Sequence, residues 1–130
     1  MKRGTVHFDG ACSGNPGPMG AGAVVTDDSG PRVHHQAMGR GTNNEAEYHG
    51  LILGLRHALA AGITDVEVMG DSQLVLRQLE GRYAVRAGNL VGLHAEARAL
   101  LARFSRSRLT WIPRESNAGA DAAARRALER

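Results

Sequence analysis

Lysine is nearly absent from this chain, which carries fifteen arginines but only Lys2 among 130 residues. Cysteine is just as scarce. With Cys12 alone no internal disulfide can form, which fits a reducing, cytoplasmic setting. Zinc chemistry is disfavoured too, because no Cys/His cluster is present to supply soft ligands. Aromatic residues number five (Phe8, Tyr48, Tyr83, Phe104 and Trp111), so the core has to be built from Val, Leu, Ile and Ala. Trp111 and Tyr83 are expected to pack, Tyr83 being also a weak candidate for ligand contact. No run approaches the roughly 18–20 apolar residues of a membrane span, and no charged segment followed by an apolar stretch opens the chain. The expectation is a soluble monomer with no membrane and no obligate protein partner. A length of 130 residues, 42% of them hydrophobic, with no low-complexity tract, predicts one compact domain over 1–130.

What charge there is lies unevenly. Residues 1–71 hold five Lys/Arg against eight Asp/Glu, a balance of −3, whereas residues 72–130 hold eleven Arg against five acids, a balance of +6. An acidic centre beside a basic flank suits a phosphate polymer held by arginines and presented to a cation. Base composition alone would also favour Arg over Lys, and solvated helix faces account for many such residues.

Hydrophobic period divides the chain. Thr5–Phe8, Gly20–Thr26 and Val33–Met38 read as strands, separated by GNPGP at 14–18 and DDSGP at 27–31, and together make a meander. Helical spacing runs from Thr42 to Ala61, with Gly62 as the glycine beyond its end. A strand over Asp65–Met69, helices over Ser72–Leu79 and Asn89–Phe104, a strand over Leu109–Ile112 and a helix over Asn117–Leu128 follow. Three strands and then alternating helices and strands predict an α/β fold with a mixed sheet flanked by helices.

On those elements four acids sit where folding alone does not explain them: Asp9, Glu47, Asp71 and Asp121. Asp9 and Asp71 each close an apolar strand, the place where α/β sheets put their ligands. Glu47 shares a helical face with Gly50, Leu51, Gly54 and Ala58, the buried stripe. Glu45, two residues earlier, is accounted for by a capping box with Thr42. Asp121 lies with Ala124 and Leu128 on the inner face of the last helix, with Arg125 and Arg126 turned outward. Any one of these acids could be a cap or a surface turn. Four directed toward one interior need a compensating charge, since an isolated buried carboxylate costs several kcal/mol or gives up its charge. A divalent cation is the natural partner. A phosphate-accepting receiver domain also gathers acids around Mg²⁺, but it starts with alternating strands and helices rather than a meander and needs a lysine near its end.

The segments FDGACSGNPGP at 8–18, TNNEAEY at 42–48, GDSQLV at 70–75 and WIPRESNAGADAAA at 111–124 together resemble type 1 ribonuclease H across nearly the whole chain. Each segment alone is weak, but four in order with an acid at each family position are specific. The resemblance implies a ribonuclease H-like fold, a five-stranded mixed sheet of order 3-2-1-4-5, and a metal-dependent endoribonuclease acting on the RNA strand of RNA/DNA hybrids. It puts Asp9, Glu47, Asp71 and Asp121 on the metal-binding carboxylates, with Asp9 expected to bridge two Mg²⁺ ions and with Mn²⁺ as a possible substitute. It places Gly10, Ala11 and Cys12 near a 2′-hydroxyl, Asn43, Asn44 and Gln73 at minor-groove base edges, and Asn15 and Thr42 on a DNA phosphate. Two departures are evident. The short GRYAVRAGN at 81–89 stands where longer members carry a Lys-rich helix and loop, so the chain resembles a short branch without the basic protrusion, leaving Arg82 and Arg86 as candidate contacts. Arg114 stands near the place of a loop histidine, where it can stabilise charge but cannot act as a base.

Overall fold

A computed structural model describes residues 1–129. Strands β1 (Arg3–Cys12), β2 (Gly17–Asp27) and β3 (Gly30–Gly41) form an antiparallel meander, followed by helix α1 (Asn43–Ala60), strand β4 (Asp65–Gly70), helices α2 (Gln73–Leu79) and α3 (Gly88–Leu101), strand β5 (Arg106–Trp111), a 3₁₀ turn at Arg114–Ser116 and helix α4 (Ala118–Arg126). The sheet has the order β3-β2-β1-β4-β5, with β4 parallel to both β1 and β5. This is the expected five-stranded mixed sheet of a ribonuclease H-like fold.

The elements fall where period placed them, but the strands run further than their hydrophobic alternation. β1 continues through Gly10, Ala11 and Cys12, which pair with Ala21, Gly20 and Met19. Asp9 therefore lies within a central strand rather than at its end, because ladder hydrogen bonds carry on where apolar side chains stop. β3 and β5 are edge strands with mostly exposed residues, so only pairing with their single neighbours defines their ends.

Alternation along β1 separates two layers. Val6 and Phe8 face α1 and join the core with Leu51, Leu55, Val66, Val68 and Leu76. Asp9, opposite Gly22 in the register, faces the other way, toward α4. Missing side chains bring both helices down onto the strands. A Cβ on Gly22 would collide with the backbone of Ala120 and Ala124, and one on Gly10 would overlap the backbone of Ala46 and Glu47. Seated this closely, α1 delivers Glu47 and α4 delivers Asp121 to the same end of β1.

Candidate active site

Two of the acids, Glu47 and Asp71, are free for the site because another residue does the local capping. At the start of α1 the Thr42 hydroxyl accepts from Glu45 N at 3.2 Å and Glu45 Oε1 accepts from Thr42 N at 3.1 Å, the reciprocal box expected for Glu45. Glu47, half a turn on, is left free. At the start of α2 the cap is Ser72, whose hydroxyl accepts from Val75 N at 3.3 Å, so Asp71 keeps its carboxylate for other work. Carboxylate oxygens of Asp9, Glu47 and Asp71 all lie within 4.8 Å of one another. Asp9 is only 5% exposed, and among the described residues its carboxylate accepts from Gly10 N at 2.9 Å alone.

Such crowding shows in proton affinity. Burial and then the Asp71 charge push the Asp9 carboxyl up to about 6. Burial and the neighbouring Asp9 raise Glu47 well above the ordinary carboxylate range. Glu47 Oε2 is buried with no hydrogen-bond partner among the described residues. An all-oxygen donor set holding an orphaned anionic atom fits a hard divalent cation such as Mg²⁺ or Mn²⁺, which would restore the balance that burial upsets.

Asp121 stands slightly apart. It touches Asp9, yet its Oδ2 accepts a 2.6 Å hydrogen bond from Arg125 Nη2, and it is not among the three clustered acids. Arg125 thus points into the site rather than outward, since one turn of helix puts it over Asp121.

The acids line a cleft of about 690 Å³ together with Gly10, Ala11, Cys12, Asn43, Trp111, Arg114 and Arg125. Among the described residues no histidine lines it, whereas Arg114 does. Asn15 Oδ1 accepts from Asn43 N at 3.0 Å and ties the GNPG turn to the start of α1, beside Thr42. Asn44 and Gln73 are exposed on the first turns of α1 and α2, just beyond the cleft wall. Arg82 and Arg86 are exposed on the connection between α2 and α3 and do not line the cleft.

Two residues gained roles that sequence reasoning missed. Trp111, expected to pack, is 43% exposed in the cleft and donates its indole N–H to the Asp71 carbonyl at 3.2 Å. Asn117, read as the start of the last helix, makes no capping bond with its side chain. Its buried amide donates instead to the Phe8 carbonyl at 2.9 Å and to Asp71 Oδ2 at 3.4 Å, while its backbone carbonyl accepts from Asp121 N at 3.0 Å. It thereby links the strand before Asp9, the Asp71 carboxylate and the Asp121 backbone. Its place four residues before Asp121 was the only signal available.

Sheet order and acid placement together define the ribonuclease H-like class. The family described as reverse transcriptase-like matches residues 7–127. The N-terminal RNase H domain of Rv2228c from Mycobacterium tuberculosis superposes with a TM-score of 0.94 at 42% identity, over 98% of this chain and 94% of that one. RNase H1 of the archaeon Halobacterium salinarum gives 0.93 at 41% identity, over 97% of both chains. LC11-RNase H1, isolated from compost and solved in complex with an RNA/DNA hybrid, gives 0.88 at 34% identity, over 95% of both. The chain spans 35% of the length of full Rv2228c and 65% of that of Halobacterium ribonuclease HI. It belongs to the type 1 ribonuclease H family.

Proposed function

We propose that this protein hydrolyses the RNA strand of RNA/DNA hybrids in a metal-dependent reaction that leaves 5′-phosphate and 3′-hydroxyl ends. The observation that carries this reading is the convergence of the Asp9, Glu47 and Asp71 carboxylates, with Glu47 Oε2 unpartnered, in a cleft flanked by arginines. The relative solved with a hybrid shares this fold over 95% of the chain. Residues 1–130 are read as one domain of this kind.

Asp9, Glu47, Asp71 and Asp121 would hold the cation, with two Mg²⁺ ions expected and Mn²⁺ able to replace them. Bound divalent metal lowers the pKa of an attacking water and stabilises charge on the leaving oxygen. The chain's own groups supply the rest. Asn117 holds Asp71 through its side chain and Trp111 holds it through the backbone, so this acid is positioned before substrate arrives. Gly10, Ala11 and Cys12 form one wall, where their backbone lies within reach of a ribose 2′-hydroxyl, the group that separates RNA from DNA. Asn43, Asn44 and Gln73 are assigned to base edges in the minor groove, and Asn15 with Thr42 to a DNA-strand phosphate. Arg114 stabilises phosphate charge, and Arg82 and Arg86 supply a modest basic grip. No helix among the described residues is long and apolar enough to cross a membrane, and a monomer suffices for every role assigned here.

The decisive assay follows end-labelled RNA in an RNA/DNA hybrid with Mg²⁺, with Mn²⁺ and with EDTA. Cleavage is expected with either metal and none with EDTA. Equal cleavage in EDTA, or an intact hybrid in both metals, overturns the reading.

A further inference from the structure

We propose that Arg125 is the built-in counter-ion of the metal-free site and competes with the divalent cation for Asp121. This rests on the metal-binding reading above and extends it to a residue outside the acid set.

Four acids converge on this cleft, and among the described residues one cation pairs with any of them. That cation is Arg125, whose Nη2 lies 2.6 Å from Asp121 Oδ2. Arg114 also lines the cleft but makes no ion pair with an acid there. The pair is built into α4 by sequence. Asp121 in the first turn and Arg125 four residues on have the acid on the N-terminal side, the orientation that a helix favours, and each charge sits at the matching end of the helix dipole.

Position rather than pair strength gives it consequence, because exposed pairs of this spacing contribute little by themselves. The Asp121 side chain is 18% exposed and touches Asp9, so it lies between the crowded acids and the guanidinium. Held on the Arg125 side, it stays outside the trio whose oxygens lie within 4.8 Å. A cation that recruits all four acids has to draw Asp121 away from Arg125. The guanidinium so released remains on the cleft wall, where the phosphates of a nucleic acid would pass. In the metal-free protein the same guanidinium offsets part of the repulsion among acids that, among the described residues, have no other cationic partner.

Calorimetric titration of metal-free protein with Mg²⁺ and with Mn²⁺, without nucleic acid, tests this on the wild type, Arg125→Ala and Arg125→Lys. The Arg125 side chain is 69% exposed, so truncating it leaves the packing of α4 intact. Removing a positive charge and freeing Asp121 should tighten metal binding about three- to tenfold. Thermal unfolding gives an independent readout. Arg125→Ala should melt lower than the wild type in EDTA, and saturating Mg²⁺ should close the gap. Arg125→Lys should restore wild-type behaviour in both measurements. A metal isotherm for Arg125→Ala that is unchanged or weaker overturns the proposal, as does a melting deficit that persists in saturating Mg²⁺, which would mean a packing role. Failure of the parent reading looks different, because the wild type itself would then bind no divalent cation and leave the hybrid intact.

Discussion

Asp9 and Asp27 stand near opposite ends of the same antiparallel strand pair, and the protein treats them in contrary ways. Asp27 is fully provided for. Ser29 N donates to it at 2.8 Å and Lys2 Nζ lies 3.1 Å away, so the Ser29 amide first and Lys2 second hold its carboxyl below the usual range. Among the described residues Asp9 has one backbone donor, two acidic neighbours in the cluster and no paired cation, and its carboxyl rises to about 6. The chain has a lysine and sixteen basic residues in all, so the lack of one beside Asp9 is no shortage of charge. A fold able to satisfy an acid at one end of its sheet leaves a cluster unsatisfied at the other, and that contrast is what the proposed binding of an outside cation would resolve.

Neutralising each acid in turn gives the largest test of that contrast. Asp9→Asn should lower the turnover number at least about a hundredfold, since it removes a ligand of the activating metal. Its metal-free stability should rise, because one charge leaves the crowded cluster. Asp27→Asn should do the opposite, keeping turnover and losing stability. Hybrid cleavage and urea unfolding measure both, and an Asp9→Asn protein retaining more than a few per cent of wild-type turnover would remove Asp9 from the site.

The same contrast recurs within one helix. Glu47→Gln should also cost activity by orders of magnitude with little effect on stability. Glu45→Gln should preserve activity and shift stability by less than about 1 kcal/mol, because glutamine still accepts in a capping box. The reverse ranking would place the wrong face of α1 toward the metal.

A smaller effect, measured as stability against pH, sharpens the comparison of Asp9 with Asp27. The folded-state value of Asp9 is about 6, above its ordinary 3.8, so between these values the folded protein holds more protons than the unfolded chain. Stability of the metal-free protein therefore falls as pH rises through this window, by up to about 3 kcal/mol, at 1.36 kcal/mol per unit. Asp27 has the contrary sign, contributing stability that is present above its ordinary value and lost as pH falls through its depressed one. Urea titrations of wild type and Asp9→Asn in EDTA from pH 4 to 7 isolate the Asp9 contribution. The stability gap between the two proteins should widen as pH rises, and Mg²⁺ should shrink it. A constant gap would mean that Asp9 is already compensated.

The smallest effect concerns the basic half. Arg82→Ala with Arg86→Ala should raise KM about three- to tenfold and leave the turnover number nearly unchanged, as expected of charges that bind ground and transition states alike. The slope of log affinity against log salt should flatten by about 0.9 for each phosphate that is no longer neutralised. A wild-type slope in the double variant would fit their position outside the cleft and would shift the grip to Arg114 and Arg125.

The convergence of the acids on one cleft was legible in sequence because the cues were local. A capping box spans four residues, so Glu45 could be set aside and Glu47 singled out from the helix period alone. The order of strands and helices, and the four acids with their family segments, were likewise carried by short stretches of chain. Tertiary structure decided what depends on partners distant in sequence. Pairing with β2 carried β1 past Asp9, although the apolar alternation ends at Phe8. The fold turned the Asn117 side chain from helix capping to the Phe8 carbonyl, 109 residues away, and to Asp71. It exposed the single tryptophan in the cleft and paired the largely exposed Arg125 with Asp121. Periodicity fixes which face of an element a residue occupies, but which atoms meet across elements depends on how closely α1 and α4 settle on the sheet, and that distance is set where glycines on the strands admit the helix backbones.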